Sequence, residues 1–302
     1  MHRVHARIAE SIARGPGHIS TAALLQIITR GQLDRMVKRG ELIRVWHGVY
    51  ALEAPDRWGR LAALDTHLGQ PAVACMGTAA ALYGFDTEAR TAVHILDPGR
   101  RVRPAVGLGV HQRLGAPLLR VQGRLATAPA WTAVEVARTL PRPRALATLD
   151  AALRSGWCTL TDLEKAIIEQ KGRRGIVAVR ALAPLADGRA ESAMESEARL
   201  AMIDGGLPRP ELQFVIDGPD RSWRVDFAWP EHRVVAEYDS ITWHVGPSQM
   251  LRDRIRFAAI QQLGWTVIPI VSSDIRLQPQ RLVARIEHHL QRNTPASRRE
   301  LA

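Results

Sequence analysis

The run from Arg224 to Asp239 constrains the fold of this chain more than any other stretch. It reads as two short strands, Trp223–Trp229 and Arg233–Asp239, joined by a turn at Trp229-Pro-Glu-His232. Side chains alternate across a strand, so Glu237 and Asp239 share a face with Val235, and Asp226 on the preceding strand can lie beside them. Carboxylates converging from paired strands form a hard-oxygen site suited to Mg²⁺.

The elements around this run follow a clear order. A helix covers Ser192 to Asp204 and stops at Gly205-Gly206, and a strand runs from Glu211 to Ile216. The two strands above come next, then a loop holding Trp243 and His244. A helix over Ser248–Leu263 ends at Gly264, followed by a strand at Trp265–Val271 and a helix at Gln278–Arg292. This is a mixed sheet with helices on it.

The N-terminal residues 1–55 read differently. Val4, Ile8 and Ile12 recur at helical spacing, Gly15-Pro16-Gly17 breaks that helix, and Thr21–Ile28 forms a second one. Thr29 followed by Gln32 is a capping box that opens a third helix with a buried stripe of Leu33, Met36 and Val37, stopped at Gly40. Residues 41–52 alternate like two strands with a turn near His47-Gly48. Three helices and a hairpin make a winged helix-turn-helix. Its third helix offers Arg30, Gln32, Arg35, Lys38 and Arg39, and its hairpin offers Arg44 and His47. The segment holds eight Lys/Arg against four Asp/Glu. Two readings stand: a recognition helix in a DNA major groove with the wing on the backbone, or a solvated face of a protein–protein module.

Residues 56–70 form a helical linker, and residues 71–190 a middle α/β region. In the latter Val93–Leu96 and Gly109–Gln112 are strands, and helices follow from Trp131 onward. The loop Pro98–Pro104 carries Arg100, Arg101 and Arg103, either to grip phosphate or as a solvated turn. The chain is thus an α/β (α+β multidomain) protein, with expected domains at 1–55, 56–190 and 191–294.

Charge bears on partners. The 302 residues carry a formal charge of +11, and lysine occurs only at Lys38, Lys165 and Lys171, so the positive charge is almost all arginine. That balance favours a polyanionic partner, nucleic acid before an anionic membrane surface. Two separated cysteines, Cys75 and Cys158, give neither a disulfide framework nor zinc spacing. No apolar run approaches the roughly 18 residues of a spanning helix. A soluble, cytoplasmic protein with no membrane partner is expected.

The C-terminal third resembles the PD-(D/E)xK nuclease superfamily, the restriction-endonuclease-like αβββαβ fold. More narrowly it is similar to the very-short-patch-repair-like endonuclease domain. The resemblance is carried by Ser192-Ala-Met-Glu195, Arg224-Val-Asp226-Phe, Glu237-Tyr-Asp239 with His244, Asp253 to Arg256, and Gly264-Trp265. The whole chain resembles an actinobacterial architecture in which an AbiEi-type antitoxin winged-helix domain precedes such a nuclease-like domain. Its matching residues are Ile19-Ser-Thr21, Gly40 to Tyr50, Gly77 to Gly84 and Ala126 to Pro129.

The first resemblance implies Mg²⁺- or Mn²⁺-dependent hydrolysis of DNA phosphodiesters. Asp226 and Glu237 would be the metal ligands, and Glu195, Asp239 and His244 would complete the catalytic set. Glu197 rivals Glu195, but residues two apart on a helix point about 200° apart, so only one faces the site. The superfamily's Glu-x-Lys is absent, because no lysine follows Lys171. His244 is the natural substitute, as general acid or base or as a group polarising water; it also reads as an ordinary hydrogen-bonded loop histidine. Ser240 stands where the subfamily favours glycine. Arg252 and Arg256 either meet the scissile phosphate or pair with the carboxylates as a structural network. The second resemblance implies a non-enzymatic antitoxin that represses its own promoter and neutralises a nucleotidyltransferase-like toxin.

Overall fold

The structure, a computed structural model, describes residues 2–88, 91–99, 102–103, 105–113, 115–239 and 247–293. It is a mixed α/β chain that divides into two compact units, Met1–Glu135 and Val136–Ala302.

The first unit opens with α1 (His2–Arg14), β1 (Ile19–Ser20), α2 (Thr21–Leu24), α3 (Arg30–Lys38), β2 (Ile43–Trp46) and β3 (Val49–Ala51). The strands form a small sheet in the order β1-β3-β2. The helical spacing read from the sequence becomes a core of Ile8, Ile12, Leu24, Ile28, Leu33, Met36 and Leu42, closed by Tyr50 from β3. The capping box forms: the Thr29 hydroxyl accepts the Gln32 N–H, and the Gln32 side-chain oxygen accepts the Thr29 N–H at 2.8 Å.

The unit continues through α4 (Arg57–Leu68), α5 (Met76–Leu82), β4 (Val93–Leu96), β5 (Leu108–His111), β6 (Leu118–Val121) and β7 (Arg124–Thr127), with α6 (Pro129–Ala137) at its end. β4 and β5 pair in parallel, and β6 and β7 form an antiparallel hairpin. Sequence patterning places strands only at Val93–Leu96 and Gly109–Gln112 in this region and misses that hairpin. Leu118, Leu119 and Leu125 on it are exposed, so no apolar alternation marks it.

The second unit holds α7 (Arg142–Arg154), α8 (Leu160–Glu169), α9 (Ile176–Leu182) and α10 (Ala193–Asp204). Then come β8 (Glu211–Asp217), β9 (Ser222–Trp229), β10 (Val234–Tyr238), α11 (Pro247–Gln262), β11 (Thr266–Ile270), α12 (Ser272–Arg276) and α13 (Pro279–Arg292). The sheet runs β11-β10-β9-β8, antiparallel except for the parallel β10–β11 pair, whose crossover is α11. Both sheet faces are covered. Val234, Ala236, Phe227 and Trp229 pack with α10, α12 and α13 through Ala198, Met202, Ile275, Leu282 and Ile286. Val235, Val225, Trp223 and Ile216 pack against Ile260 of α11 and Leu263 just past its end.

Packing runs across the 55/56 and 190/191 boundaries expected from the sequence. Trp46 and Val49 of the hairpin share a cluster with Leu61, Leu64 and Leu68 of α4 and with Val93 of β4, because α4 supplies apolar cover that the short hairpin lacks by itself. Likewise α7 lies against α10, where the buried Asp150 accepts from the Arg199 guanidinium at 2.7 Å. Among the described residues no helix is long and apolar enough to cross a membrane.

Candidate functional site

The carboxylates of the second unit meet where the sheet breaks its own rhythm. On β8, Phe214 and Ile216 belong to the α11 face, but Leu212, of the same parity, belongs to the opposite face. On β9, Trp223 and Val225 belong to the α11 face, but Phe227 and Trp229 do not. Both strands invert phase at one row, Gln213 and Asp226, which the ladder pairing between β8 and β9 skips. Gln213 carries the strain of that inversion with φ +53°, in the left-handed region that a non-glycine residue seldom adopts. Continuing the β9–β10 register beyond Ala236↔Phe227 sets Glu237 opposite Asp226.

Side chains tie this row together. The Gln213 amide donates to Glu195 Oε2 at 3.1 Å and to Asp226 Oδ1 at 3.4 Å. Asp226 Oδ2 accepts the Tyr238 N–H at 2.9 Å. Glu195 sits in the first turn of α10, capped by Ser192, and also accepts the Glu191 N–H at 2.8 Å. Glu197 faces elsewhere. It is buried and bridges Arg144 and Arg276, each at 2.9 Å. The two helix glutamates thus divide as helical geometry requires: Glu195 joins Asp226, and Glu197 pins α10 to α7 and α12.

Electrostatics distinguish the same groups. Burial pushes the Glu195 and Asp226 carboxyls up, and Asp226 adds to the rise at Glu195. Glu237 rises furthest, to about 8, through burial first and the Asp226 charge second, with Arg256 opposing. Burial also works upward on Glu197, yet the Arg276 and Arg144 guanidiniums hold it below the usual range. Three adjacent carboxyls resist carrying charge together, the condition a cation or a proton relieves.

The cation present is an arginine. Arg256 of α11 donates to Glu237 Oε1 at 2.7 Å and to the Arg224 carbonyl, while the Arg224 side chain pairs with Glu191 at 2.9 Å. Arg256 thus pairs with a carboxylate of the row, and Arg252 lies exposed on the same helix. Asp239, just past β10, is exposed and makes no ion pair among the described residues. His244 and Ser240 lie outside the described residues. Gln213 was missed by sequence reasoning. A glutamine in a strand carries no signal, and only the register shows that it links helix and strand carboxylates.

As arranged, these donors do not fit a metal ion. Glu237 is held by Arg256, and both Asp226 oxygens already accept N–H groups. Among the described residues no group of three or more His, Cys, Asp or Glu side chains is placed to hold one.

In the first unit, Arg30, Arg35, Lys38 and Arg39 are exposed along α3, and Arg44 is exposed on β2. Arg35 reaches back to the Gly31 carbonyl, and Arg39 lies 3.8 Å from Glu41. Gln32 is half-buried, with its side-chain oxygen engaged in the cap.

Comparison with known proteins places two further facts beside this geometry. Residues 72–185 match the AbiEi antitoxin C-terminal domain. Two proteins of Mycobacterium tuberculosis, one from each of two strains and each described only as an uncharacterized protein, are 67% identical to this chain over 266 residues. The match covers 88% of this chain and 98% of each of theirs.

Proposed function

The chain belongs to the family of these two Mycobacterium tuberculosis proteins, and from that footing we propose that it is a DNA-binding regulator of the antitoxin type. The observation that carries the reading is the AbiEi antitoxin C-terminal domain at residues 72–185. In this reading residues 1–55 are a winged helix-turn-helix, with α3 as recognition helix and the β2–β3 hairpin as wing. Residues 56–190 form the connecting domain, and residues 191–294 a restriction-endonuclease-like domain kept for binding. Arg30, Arg35, Lys38 and Arg39 meet the duplex from α3, and Arg44 meets the backbone from the wing. Gln32 contributes through its cap rather than through a base. The partner implied by the antitoxin resemblance is a nucleotidyltransferase-like toxin.

Fluorescence anisotropy on the chain's own promoter fragment tests the DNA half. Binding is expected to weaken at least tenfold in Arg35→Ala or Lys38→Ala. Equal affinity in both variants and at high salt removes α3 as the reader. Co-expression with a neighbouring nucleotidyltransferase-like toxin tests the other half, where growth is restored only if the chain neutralises it.

A second reading, a metal-dependent endonuclease, is favoured by the Gln213 row, which gathers Glu195, Asp226 and Glu237. It requires Arg256 to leave Glu237 before Asp226 and Glu237 could ligate Mg²⁺ or Mn²⁺, ions that activate water and stabilise phosphate charge when bound. Plasmid nicking by wild type that is absent in Asp226→Ala and Glu237→Ala would establish it. No nicking on supercoiled, single-stranded or mismatched DNA returns the reading to the regulator.

A further inference from the structure

The first unit contains a basic groove that shares Arg30 and Arg44 with the proposed duplex contact and extends beyond it to Arg103. One cavity of about 530 Å³ is lined by Arg30, Arg44, Arg103, His47 and His67, with Thr21 and Thr66 among its polar walls. A second, of about 210 Å³, shares Arg44, His47, His67 and Arg103 and is otherwise walled by Trp46, Leu64, Val102, Ala105 and Leu108. Among the described residues no aspartate or glutamate lines either one. The larger falls within the roughly 300–1,000 Å³ typical of small-molecule sites.

The arginines here differ from their neighbours. Elsewhere in the unit Arg57 pairs with Asp86 at 2.6 Å, Arg124 with Asp65 and Arg113 with Glu135. Among the described residues Arg30, Arg44 and Arg103 make no ion pair. Three uncompensated guanidiniums around one cavity are an electrostatic deficit that a polyanion fills.

The walls are held in place without a ligand. Thr21 donates to the Gly48 carbonyl through both its N–H (2.8 Å) and its hydroxyl (3.1 Å), fixing the hairpin tip. Arg44 lies over the Tyr50 ring at 5.7 Å, and the His47 and His67 rings meet edge to face at 6.1 Å. Arg60 covers Trp46 at 4.6 Å and donates to the Val106 carbonyl at 2.8 Å, which anchors the wall at Ala105 and Leu108. Preorganised donors reduce the ordering cost of binding.

We propose that this groove binds a free nucleotide, its phosphates among Arg30, Arg44 and Arg103 and its base in the adjoining apolar chamber. The joined chambers carry the assignment. A bare phosphate needs only the basic half, and a duplex backbone has no group to place against Trp46, Leu64 and Leu108. Of the three arginines noted in the 98–104 loop, Arg103 lines the groove; Arg100 and Arg101 lie outside the described residues.

Calorimetric titration of the full chain with ATP, GTP and pyrophosphate tests the assignment. Wild type is expected to bind a nucleotide and pyrophosphate. Arg103→Ala should weaken both about tenfold or more, the loss of a charge-assisted contact. Ala105→Trp, which fills the apolar chamber from an exposed position, should weaken the nucleotide and spare pyrophosphate. Failure of wild type to bind either nucleotide overturns the proposal, as does binding that Arg103→Ala leaves unchanged or nucleotide affinity that Ala105→Trp does not move. Loss of duplex affinity in Arg103→Ala without any nucleotide binding would make the groove a backbone seat and also overturns it. Duplex binding by Arg35→Ala is scored separately, so failure of the nucleotide site and failure of the DNA reading are distinguishable.

Discussion

Glu237 shows how one buried side chain ties stability to pH. Its carboxyl rises from an ordinary 4.5 to about 8 because burial and the neighbouring Asp226 disfavour its charge more than Arg256 favours it. The folded protein therefore binds a proton there more tightly than the unfolded chain does. The resulting stability is fully present below 4.5 and is lost as pH rises through about 8. Wild type is expected to lose thermal stability across that window relative to Glu237→Gln, whose amide still accepts from Arg256. The difference should be at most a few kcal/mol by linkage. Melting temperatures of the two proteins at a series of pH values provide the check; parallel curves would mean that Glu237 stays ionised and paired with Arg256 throughout.

At the scale of the element, α3 depends on its first turn. Thr29 and Gln32 satisfy each other's backbone donors, and loss of such a cap costs about 1 kcal/mol. Thr29→Ala and Gln32→Ala are expected to destabilise by similar amounts, and the double variant by less than their sum, since each removes the same reciprocal pair. Denaturant midpoints of the three variants test this. Full additivity would free Gln32 from the cap and return it to base contact. The inverted row in β8 and β9 is a second element-scale device. It turns Asp226 and Gln213 out of simple alternation and brings Glu195 of α10 within reach of the sheet.

At the scale of the molecule, two observations carry predictions. In the second unit, Asp150 and Arg199 are both buried, at 0% and 5% exposure, and join α7 to α10. Removing one member of a buried pair strands the other, so Asp150→Ala should cost about 3–5 kcal/mol, read as a lowered unfolding midpoint. A cost under 1 kcal/mol would show that water reaches Arg199 there. The net charge of +11 governs association. If α3 and Arg44 neutralise about five phosphates, log affinity against log salt should fall with a slope of about −4 to −5. A slope near zero in anisotropy titrations would remove the electrostatic footprint assigned to α3.

What the sequence determined by itself is what local chemistry specifies. The Thr29–Gln32 cap, the Gly40 stop, the apolar stripe of α3 and the order of helices and strands from Ser192 to Arg292, apart from the short α12 that the sequence reading missed, are readable because each signal lies within a few residues of its effect. Periodicity also put Asp226 beside Glu237, but for an incomplete reason, since it assumed unbroken alternation through both strands. Tertiary structure decided the rest. It chose Glu195 over Glu197 for the carboxylate row, recruited Gln213, set Arg256 on Glu237 and brought Arg103 to the hairpin. These partners lie from 13 to 59 residues apart in the chain, and their meeting follows from strand register and from which helix covers which face of the sheet. No short-range pattern encodes a register, so no reading of adjacent residues could supply it.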